Sequence, residues 1–506
     1  MSRARKDPDP AVPVPQGLDL GRALPLDDAL PIGFGADQGQ GPARPVLLGP
    51  EDHALIIAPT GAGKGTSAIM PLLLEHTGPA LVFDPKGEAA HVTADWRRKQ
   101  GQKVFVIDPM AVTGLPRARL NPLDLVDLRR ADAYDEARAL ADCLLLERGD
   151  PRNAFWINQA RQVLTAAILQ TVADASGPGR ARIGDLVDLC SRLRPGAAVW
   201  LSRSRVPEVV QLASLLDLGA PETIGGVLHY VEEAMELLRS APVQDCLGAS
   251  SVPLSHLIEG RPVTIYFVLP PHMLRSHARL VRLWFGAIIQ ALARRARAPA
   301  RPTLVLIDEA AQLGPLEPFV TLMTLMRGYG VQCVSCWQDP AQLIATYPGL
   351  WPSLRNNARL ITAFGQTGPA ALRDLEQFFG LPEGALARLQ GQRLCQVAGH
   401  LMRAETPDYR FDPVLSARAR PNPFYLPAKG RIERAAAKRT RPLRPAPEDR
   451  PGGPPDGSQL GDRAPGLDPA RAQALDQALK RILTKPDGPA QPQIDPRTNF
   501  DDEIPF

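Results

Sequence analysis

One segment near the amino end, residues 55–66, constrains the fold of this chain more than any other. It is an apolar run followed by a glycine-rich turn, a lysine and a helical pattern, LIIAPTGAGKGT. In such a P-loop, backbone N–H groups and the amino end of the helix bind nucleotide phosphates, and the lysine reaches the terminal ones. The predicted phosphate-binding residues are Thr60, Gly61, Ala62, Gly63, Lys64, Gly65 and Thr66.

This P-loop departs from the common pattern at two positions. Ala58 replaces the first glycine, and Gly65 stands where a Mg²⁺-binding hydroxyl is expected. Thr66, one residue later, lies about 100° further round the helix. We therefore predict that Mg²⁺ is held by Thr66 together with a carboxylate from elsewhere, with a coincidental glycine-rich turn as the alternative.

That carboxylate is predicted in a second strand, Thr303–Ile307, which ends in Asp308 and Glu309. An apolar strand ending in two acids has the pattern of a Walker B strand beside the P-loop strand. Asp308 would hold Mg²⁺ through water, and Glu309 would orient and deprotonate the attacking water. The pair favours nucleotide hydrolysis over a passive phosphate site.

Two further side chains are candidates for catalysis. Gln338 ends the predicted strand that starts at Val331, so its amide could contact the γ-phosphate or position water. Arg327 ends the preceding helix, from which a permanently charged guanidinium could reach a nucleotide held by an adjacent subunit. Arg355 is a weaker candidate for that role, and compensation of a helix dipole is the alternative for either arginine.

The order of strand and helix patterns predicts an α/β domain with an insertion. From about residue 33, short β-branched runs alternate with helical patterns, but residues 133–247 contain long helical patterns and almost no strand pattern. The predicted division is a flexible arm at 1–32, the α/β domain in two parts at 33–132 and 248–420, an all-α insertion at 133–247, and a disordered Pro/Arg-rich tail at 421–506 with a short helix near 469–483.

Composition limits the class and location of the protein. With 44% hydrophobic and 22% charged residues, the chain can bury a large core. No apolar run approaches the length of about 20 residues that a membrane span needs, and the amino end lacks the apolar region of a secretory signal. We expect a cytoplasmic protein, or one that lies peripherally at the inner membrane through its partners.

Charge and cysteine usage give two local expectations. Residues 429–444 carry seven Lys and Arg against one glutamate, which indicates either a solvated linker or a nonspecific contact with nucleic acid or anionic lipid. Cys333 and Cys336 form a CxxC inside an apolar strand pattern with no second pair nearby, so buried thiols are favoured over a zinc or redox site.

These residues together resemble the TraG-like type IV coupling proteins, ATPases that deliver substrates to conjugative and related type IV secretion channels. The resemblance covers about residues 34–415. Besides the P-loop and the two acids, it depends on short motifs: FDPKGE at 83–88, TADWR at 93–97, NPLD at 121–124, MRGYGV at 326–331, and Gln338.

The resemblance implies a RecA-like P-loop domain with a mostly parallel sheet, interrupted by an all-α domain that selects cargo. It implies a hexameric ring that uses ATP and Mg²⁺, with Lys64 acting within its own subunit and Arg327 as the arginine finger for the next. The implied partners are DNA with its relaxase, or effector proteins, and components of the secretion channel. Such proteins usually begin with membrane-spanning helices, which this sequence does not show.

Two other functions fit the same motifs. One is a cytosolic hexameric DNA translocase or helicase unconnected to secretion. The other is a non-enzymatic adaptor that binds nucleotide for assembly.

Overall fold

The computed structural model describes residues 18–24, 45–145, 153–386 and 393–424, apart from positions 176, 178, 195, 196, 219, 275, 406 and 407. The chain divides into two units, Met1–Ala428 and Lys429–Phe506. The second lies wholly outside the described residues, and so do the predicted basic segment and the helix near 469–483. Among the helices described, none is both long and apolar enough to cross a membrane.

Eleven strands form one sheet in the described part of the chain. In spatial order they are β2-β1-β11-β10-β9-β3-β8-β7-β4-β6-β5. The strands are β1 (Leu18–Leu24), β2 (Pro45–Leu48), β3 (His53–Ile57), β4 (Ala80–Phe83), β5 (Lys103–Ile107), β6 (Val263–Phe267), β7 (Thr303–Ile307), β8 (Val331–Trp337), β9 (Ala358–Ala363), β10 (Arg393–Val397) and β11 (His400–Glu405).

Seven of these strands, from β9 to β5 in spatial order, are parallel. They are the apolar runs that alternate with helices in the sequence, and every residue of β3, β4, β6, β7 and β8 is buried. Burial on both faces explains the continuous apolar runs, because helices cover each side of such a sheet. The predicted mostly parallel α/β fold is confirmed.

The other four strands extend the sheet in antiparallel pairing beyond β9. β10 and β11 form a hairpin whose turn residues Ala398 and Gly399 both have positive φ, 49° and 89°, as a tight two-residue turn requires. β1 pairs with β11 and β2, so the prediction of a flexible arm over 1–32 is wrong for Leu18–Leu24. That strand obtains its backbone partners from β11, nearly 380 residues later, which no local pattern could indicate.

Helices cover both faces of the sheet and fill the insertion. They are α1 (Met70–Glu75), α2 (Glu88–Lys99), α3 (Ala133–Leu144), α4 (Ala154–Asp174), α5 (Ile183–Ser191), α6 (Ala198–Leu201), α7 (Pro207–Leu218), α8 (Pro221–Glu236), α9 (Ala241–Cys246), α10 (Leu254–Ile258), α11 (Ala278–Ala293), α12 (Glu317–Leu325), α13 (Pro340–Thr346), α14 (Trp351–Asn357), α15 (Pro369–Phe379) and α16 (Pro413–Arg418). In the described part of 133–247, helices α3 to α9 occur without a strand.

The two faces of the sheet belong to different apolar clusters. Leu55 and Ile57 of β3 pack with the helices of the insertion and α11, whereas Ala54 and Ile56 pack with α1 and α2. The same alternation places Cys333 and Cys336 on opposite faces of β8, where both thiols are buried. The expectation of buried strand thiols is confirmed, since the two sulfurs face different layers.

Candidate nucleotide-binding site

The topology of the sheet brings the predicted catalytic segments to one edge. β8 lies between β3 and β7, and all three strands are parallel. Their carboxyl ends therefore meet, and the P-loop, the Asp308-Glu309 pair and Gln338 follow these three ends directly. A cleft opens at this edge, and six of the seven predicted phosphate-binding residues line it: Thr60, Gly61, Gly63, Lys64, Gly65 and Thr66.

The remaining residue, Ala62, faces away from the cleft, against Gly365. A Cβ on Gly365 would lie 2.3 Å from the Cβ of Ala62, so the loop after β9 can approach the P-loop only as glycine. Gly61 and Gly63 adopt φ of 82° and 90°, backbone conformations that side chains strongly disfavour. The turn itself therefore requires glycine at positions 61 and 63.

Lys64 lies between the two acids that follow β7. Its Nζ is 2.9 Å from Asp308 Oδ1 and 2.9 Å from Glu309 Oε1. Burial by itself would lower the pKa of Lys64, but the two carboxylates outweigh it and raise the pKa above its usual range. The lysine is therefore a permanent cation at this edge of the sheet.

The two acids differ in their ionisation. Burial raises the pKa of Asp308 although Lys64 opposes the shift. Burial also acts to raise the pKa of Glu309, but Lys64 and the amide of Gln338 outweigh it and hold that pKa below its usual value. Glu309 is consequently a carboxylate at neutral pH and can accept a proton.

Glu309 is held in a strained backbone conformation by its neighbours. Its φ of +55° is in the left-handed region, which is unfavourable for a residue other than glycine and is concentrated at functional sites. Gln338 Nε2 donates to Glu309 Oε2 at 3.0 Å, and Gln366 Nε2 donates to the carbonyl oxygen of Gln338 at 2.8 Å. The structure therefore brings Gln338 to Glu309, and it adds Gln366, which the sequence did not indicate.

Thr66 is placed less favourably for a metal than Asp308 is. Its side chain lines the cleft, but its hydroxyl donates to the carbonyl oxygen of Gly63 at 3.2 Å. In the part of the chain that the structure describes, no group of three or more His, Cys, Asp or Glu side chains could bind a metal. The oxygen donors of Asp308 and Thr66 suit Mg²⁺, which usually binds one or two protein groups and takes its other ligands from phosphates and water.

A third wall of the cleft was not predicted. It is formed by the turn after β4, where Asp84, Lys86 and Glu88 line the cleft. Asp84 accepts a hydrogen bond from the Ala90 N–H at 2.9 Å, and burial raises the pKa of Asp84 to about 7. All three residues belong to the FDPKGE motif at 83–88. The motif was recognisable in the sequence, but no role in the cleft was predicted for it.

The two arginines lie at the other edge of the sheet. Arg327 precedes the amino end of β8; its side chain is 58% exposed and lies 3.4 Å from Glu51. Arg327 and Arg355 line a second cleft with the first residue of β3, His53, and residues at the start of β9. Neither arginine reaches Lys64 within one chain, and the predicted action of Arg327 on a neighbouring subunit stays a prediction.

The whole chain was compared with known proteins. Residues 35–362 match the family described as type IV secretory system conjugative DNA transfer. A conjugal transfer protein TraG of Escherichia coli is 28% identical over 315 residues, covering 58% of this chain and 49% of the relative. VirD4 of Rhizobium radiobacter is 27% identical over 307 residues, covering 59% and 44%. The chain therefore spans about half the length of these relatives.

Solved structures show the same fold. The plasmid coupling protein TrwB with the GTP analogue GDPNP has a TM-score of 0.53 at 15% identity, over 72% of this chain and 88% of TrwB. VirB4 of Thermoanaerobacter pseudethanolicus has a TM-score of 0.50 at 15% identity, over 79% and 98%. The resemblance predicted from the motifs is confirmed, and the chain belongs to the type IV secretory system conjugative DNA transfer family.

Proposed function

We propose that this chain is an ATP-hydrolysing ring motor that couples cargo to a type IV secretion channel, the cargo being DNA with its relaxase or a protein effector. The observation that carries the proposal is that Lys64, Asp308 and Glu309 meet in one cleft, where Gln338 donates a hydrogen bond to Glu309. The names of the relatives support a role in conjugative transfer, since TraG is a conjugal transfer protein. TrwB has been solved with the ATP analogue ADPNP and with ADP and Mg²⁺.

The roles of the residues follow from their positions. The P-loop N–H groups and Lys64 would bind the β- and γ-phosphates, and Asp308 with Thr66 would hold Mg²⁺. The bound metal would neutralise charge on the phosphates. Lys64 contacts both carboxylates at 2.9 Å, so a terminal phosphate competes with Glu309 for the ammonium group. Glu309, thus released, accepts a proton from the attacking water, and Gln338 orients that carboxylate.

The assembly completes the site. Arg327 lies at the opposite edge of the sheet from Lys64 and is well exposed, which suits a finger presented to the nucleotide of the next subunit in a hexameric ring. The chain would act in the cytoplasm or peripherally at the inner membrane, reaching the channel through partner proteins.

The motor assignment is tested with Lys64→Ala and Glu309→Gln. Lys64→Ala should lose both ATP binding and hydrolysis. Glu309→Gln should bind a fluorescent ATP analogue like the wild type while hydrolysing ATP at least about 10²-fold more slowly, the usual contribution of a general base. Arg261→Ala is the control, because Arg261 is an exposed arginine remote from the cleft that pairs with Glu259. Unchanged turnover in both variants would refute the assignment.

The coupling assignment needs a separate experiment. Stimulation of hydrolysis by DNA would distinguish a motor from an adaptor that binds nucleotide only for assembly. Capture of a relaxase or a channel ATPase by the full chain, and not by the same chain lacking 133–247, would support coupling to secretion. DNA stimulation with capture of neither protein would favour a translocase unconnected to secretion.

A further inference from the structure

The second cleft, which we term the amino-edge cleft, carries an unusual set of side chains. It lies at the amino ends of β3 and β9, and its polar lining includes His53, Arg327, Arg355, Asn356, Asn357 and Arg359. None of its described lining residues is acidic. Two of the three guanidinium groups also pair with carboxylates outside the lining: Arg327 lies 3.4 Å from Glu51, and Arg359 lies 3.4 Å from Asp52. Three guanidinium groups against these two acids leave a net positive charge at the concavity, which favours an anionic ligand.

His53 supplies a buried hydrogen-bond donor without an acceptor. The residue is 2% exposed, and its Nδ1 accepts from the Cys333 N–H at 3.0 Å. The hydrogen of the neutral ring is therefore on Nε2, and Nε2 has no partner among the described residues. Burial, together with Arg327, lowers the pKa of His53 to about 4, so the ring stays neutral and Nε2 stays a donor.

Arg355 supplies a second such donor. Its guanidinium stacks over the ring of Phe378 at 5.5 Å and donates from one terminal nitrogen to Gln396 Oε1 at 3.3 Å. Its Nε is buried and also lacks a partner among the described residues. The arginine is thus held in place by its neighbours while part of its donor capacity is unused. A buried donor without an acceptor calls for an explanation, and an anionic ligand supplies one for two such donors that belong to residues lining the same positively charged cleft.

We infer that His53 and Arg355 are two further donors, beside the proposed finger Arg327, to the terminal phosphate of a nucleotide held by a second copy of this chain. The inference rests on the proposed function.

The nucleotide of the same chain cannot be the ligand. It is bound at the carboxyl ends of the strands whose amino ends form the amino-edge cleft. β3 has five residues and β8 has seven, so at about 3.3 Å per residue the two clefts are separated by roughly 16–23 Å. In a ring of identical subunits each interface pairs two different surfaces. The inference requires these surfaces to be the amino edge of one sheet and the carboxyl edge of the next. A phosphate offers several acceptor oxygens to donors that otherwise have none.

Two variants of His53 separate this role from a purely structural one. His53→Asn keeps an acceptor near the position of Nδ1 for the Cys333 N–H but loses the Nε2 donor. His53→Gln does the reverse, because its terminal amide reaches the position of Nε2. We expect His53→Asn to lower kcat about 10-fold, and His53→Gln to lower it less. The opposite order would show that His53 only supports β8 and would overturn its assignment to the cleft.

Arg355 is tested in the same way with Arg355→Met and Arg355→Lys, and Arg261→Ala serves as the surface control. Arg355→Met should lower kcat about 10²-fold, as loss of a donor to transition-state charge does, and Arg355→Lys should restore part of that loss. ATP binding to the P-loop of the same chain should not change. If kcat of Arg355→Met equals that of Arg261→Ala, the inference is wrong.

Mixing experiments then locate the ligand. A Lys64→Ala chain retains an intact amino-edge cleft, and an Arg355→Met chain retains an intact P-loop. A mixture of the two should therefore hydrolyse ATP faster than either variant does alone. The control mixture, Lys64→Ala with the double variant Lys64→Ala/Arg355→Met, should regain none. If the first mixture gains no hydrolysis, the inference is wrong. It is also wrong if the His53 and Arg355 variants hydrolyse ATP normally without DNA but bind DNA more weakly, because the anion bound in the cleft would then be DNA.

A second readout does not depend on hydrolysis. In the Glu309→Gln background, the association of subunits with ATP present is measured by sedimentation. We expect His53→Asn and Arg355→Met to weaken ATP-dependent association at least about 10-fold. Association that is unaffected would refute the inference while leaving the proposed ATPase intact, whereas absent hydrolysis in the wild type would count against the proposed function itself.

Discussion

Gly87, in the turn that forms the third wall of the nucleotide cleft, is a sensitive position for substitution. Its φ is +72°, and a Cβ built there would lie 2.5 Å from Thr113 Cγ2 and 3.6 Å from Val268 Cγ1. Alanine in the left-handed region costs about 1 kcal/mol, and forcing a methyl into a packed site costs about 1–3 kcal/mol. Gly87→Ala should therefore lower the free energy of unfolding by about 2–4 kcal/mol.

The chain offers a matched control for each part of this cost. Gly101 has φ of +81° with nothing within 4 Å of an added Cβ, so Gly101→Ala should cost only the backbone part, about 1 kcal/mol. Thr113→Ser removes the methyl group that clashes while keeping the hydroxyl that donates to Asp108 Oδ2 at 2.7 Å. In the double variant Gly87→Ala/Thr113→Ser, the overlap should be relieved.

The assay is urea unfolding followed by far-ultraviolet circular dichroism for the wild type and the four variants. The double-mutant cycle should give a favourable coupling of about 1–3 kcal/mol between Gly87→Ala and Thr113→Ser. A coupling near zero, or equal losses for Gly87→Ala and Gly101→Ala, would refute the reasoning. Since Lys86 and Glu88 flank Gly87 and line the cleft, Gly87→Ala should also weaken ATP binding.

Two further predictions concern buried titratable groups. Burial lowers the pKa of His76 to about 3, below the unfolded value of 6.5, so its contribution to stability is complete above pH 6.5 and is lost as the pH falls. One pH unit corresponds to 1.36 kcal/mol for a single proton. The difference in unfolding free energy between the wild type and His76→Asn should therefore shrink by about 2 kcal/mol when the pH falls from 6.5 to 5. A difference that stays constant over this interval would contradict the prediction. All six cysteines are free and buried, so a thiol reagent should label none in the folded protein and six in guanidinium chloride; rapid labelling of Cys333 or Cys336 in the folded state would show that β8 is not covered as described.

The sequence predicted the fold class because the fold depends on local patterns. The apolar runs of β3, β7 and β8 are buried on both faces and carry no polar alternation, which is the pattern of central parallel strands. Residues 133–247 showed long helical patterns and almost no strand pattern, and helices α3 to α9 lie in the described part of that segment. The antiparallel extension was not predicted because β1 pairs with β11, far along the chain. Pairing between such distant segments produces no pattern that either segment shows by itself.

For the site, the sequence by itself determined which chemistry is present. The P-loop, the acid pair after β7 and Gln338 were all recognisable, since each directly follows a strand and parallel strands end at a common edge. Only the tertiary structure decided how they are paired: Lys64 bridges Asp308 and Glu309, and Gln338 contacts Glu309 and not a free position in the cleft. It also decided that Arg327 and Arg355 share the amino-edge cleft with His53. These relations depend on strand order, which is fixed by the packing of the whole sheet and not by any one segment.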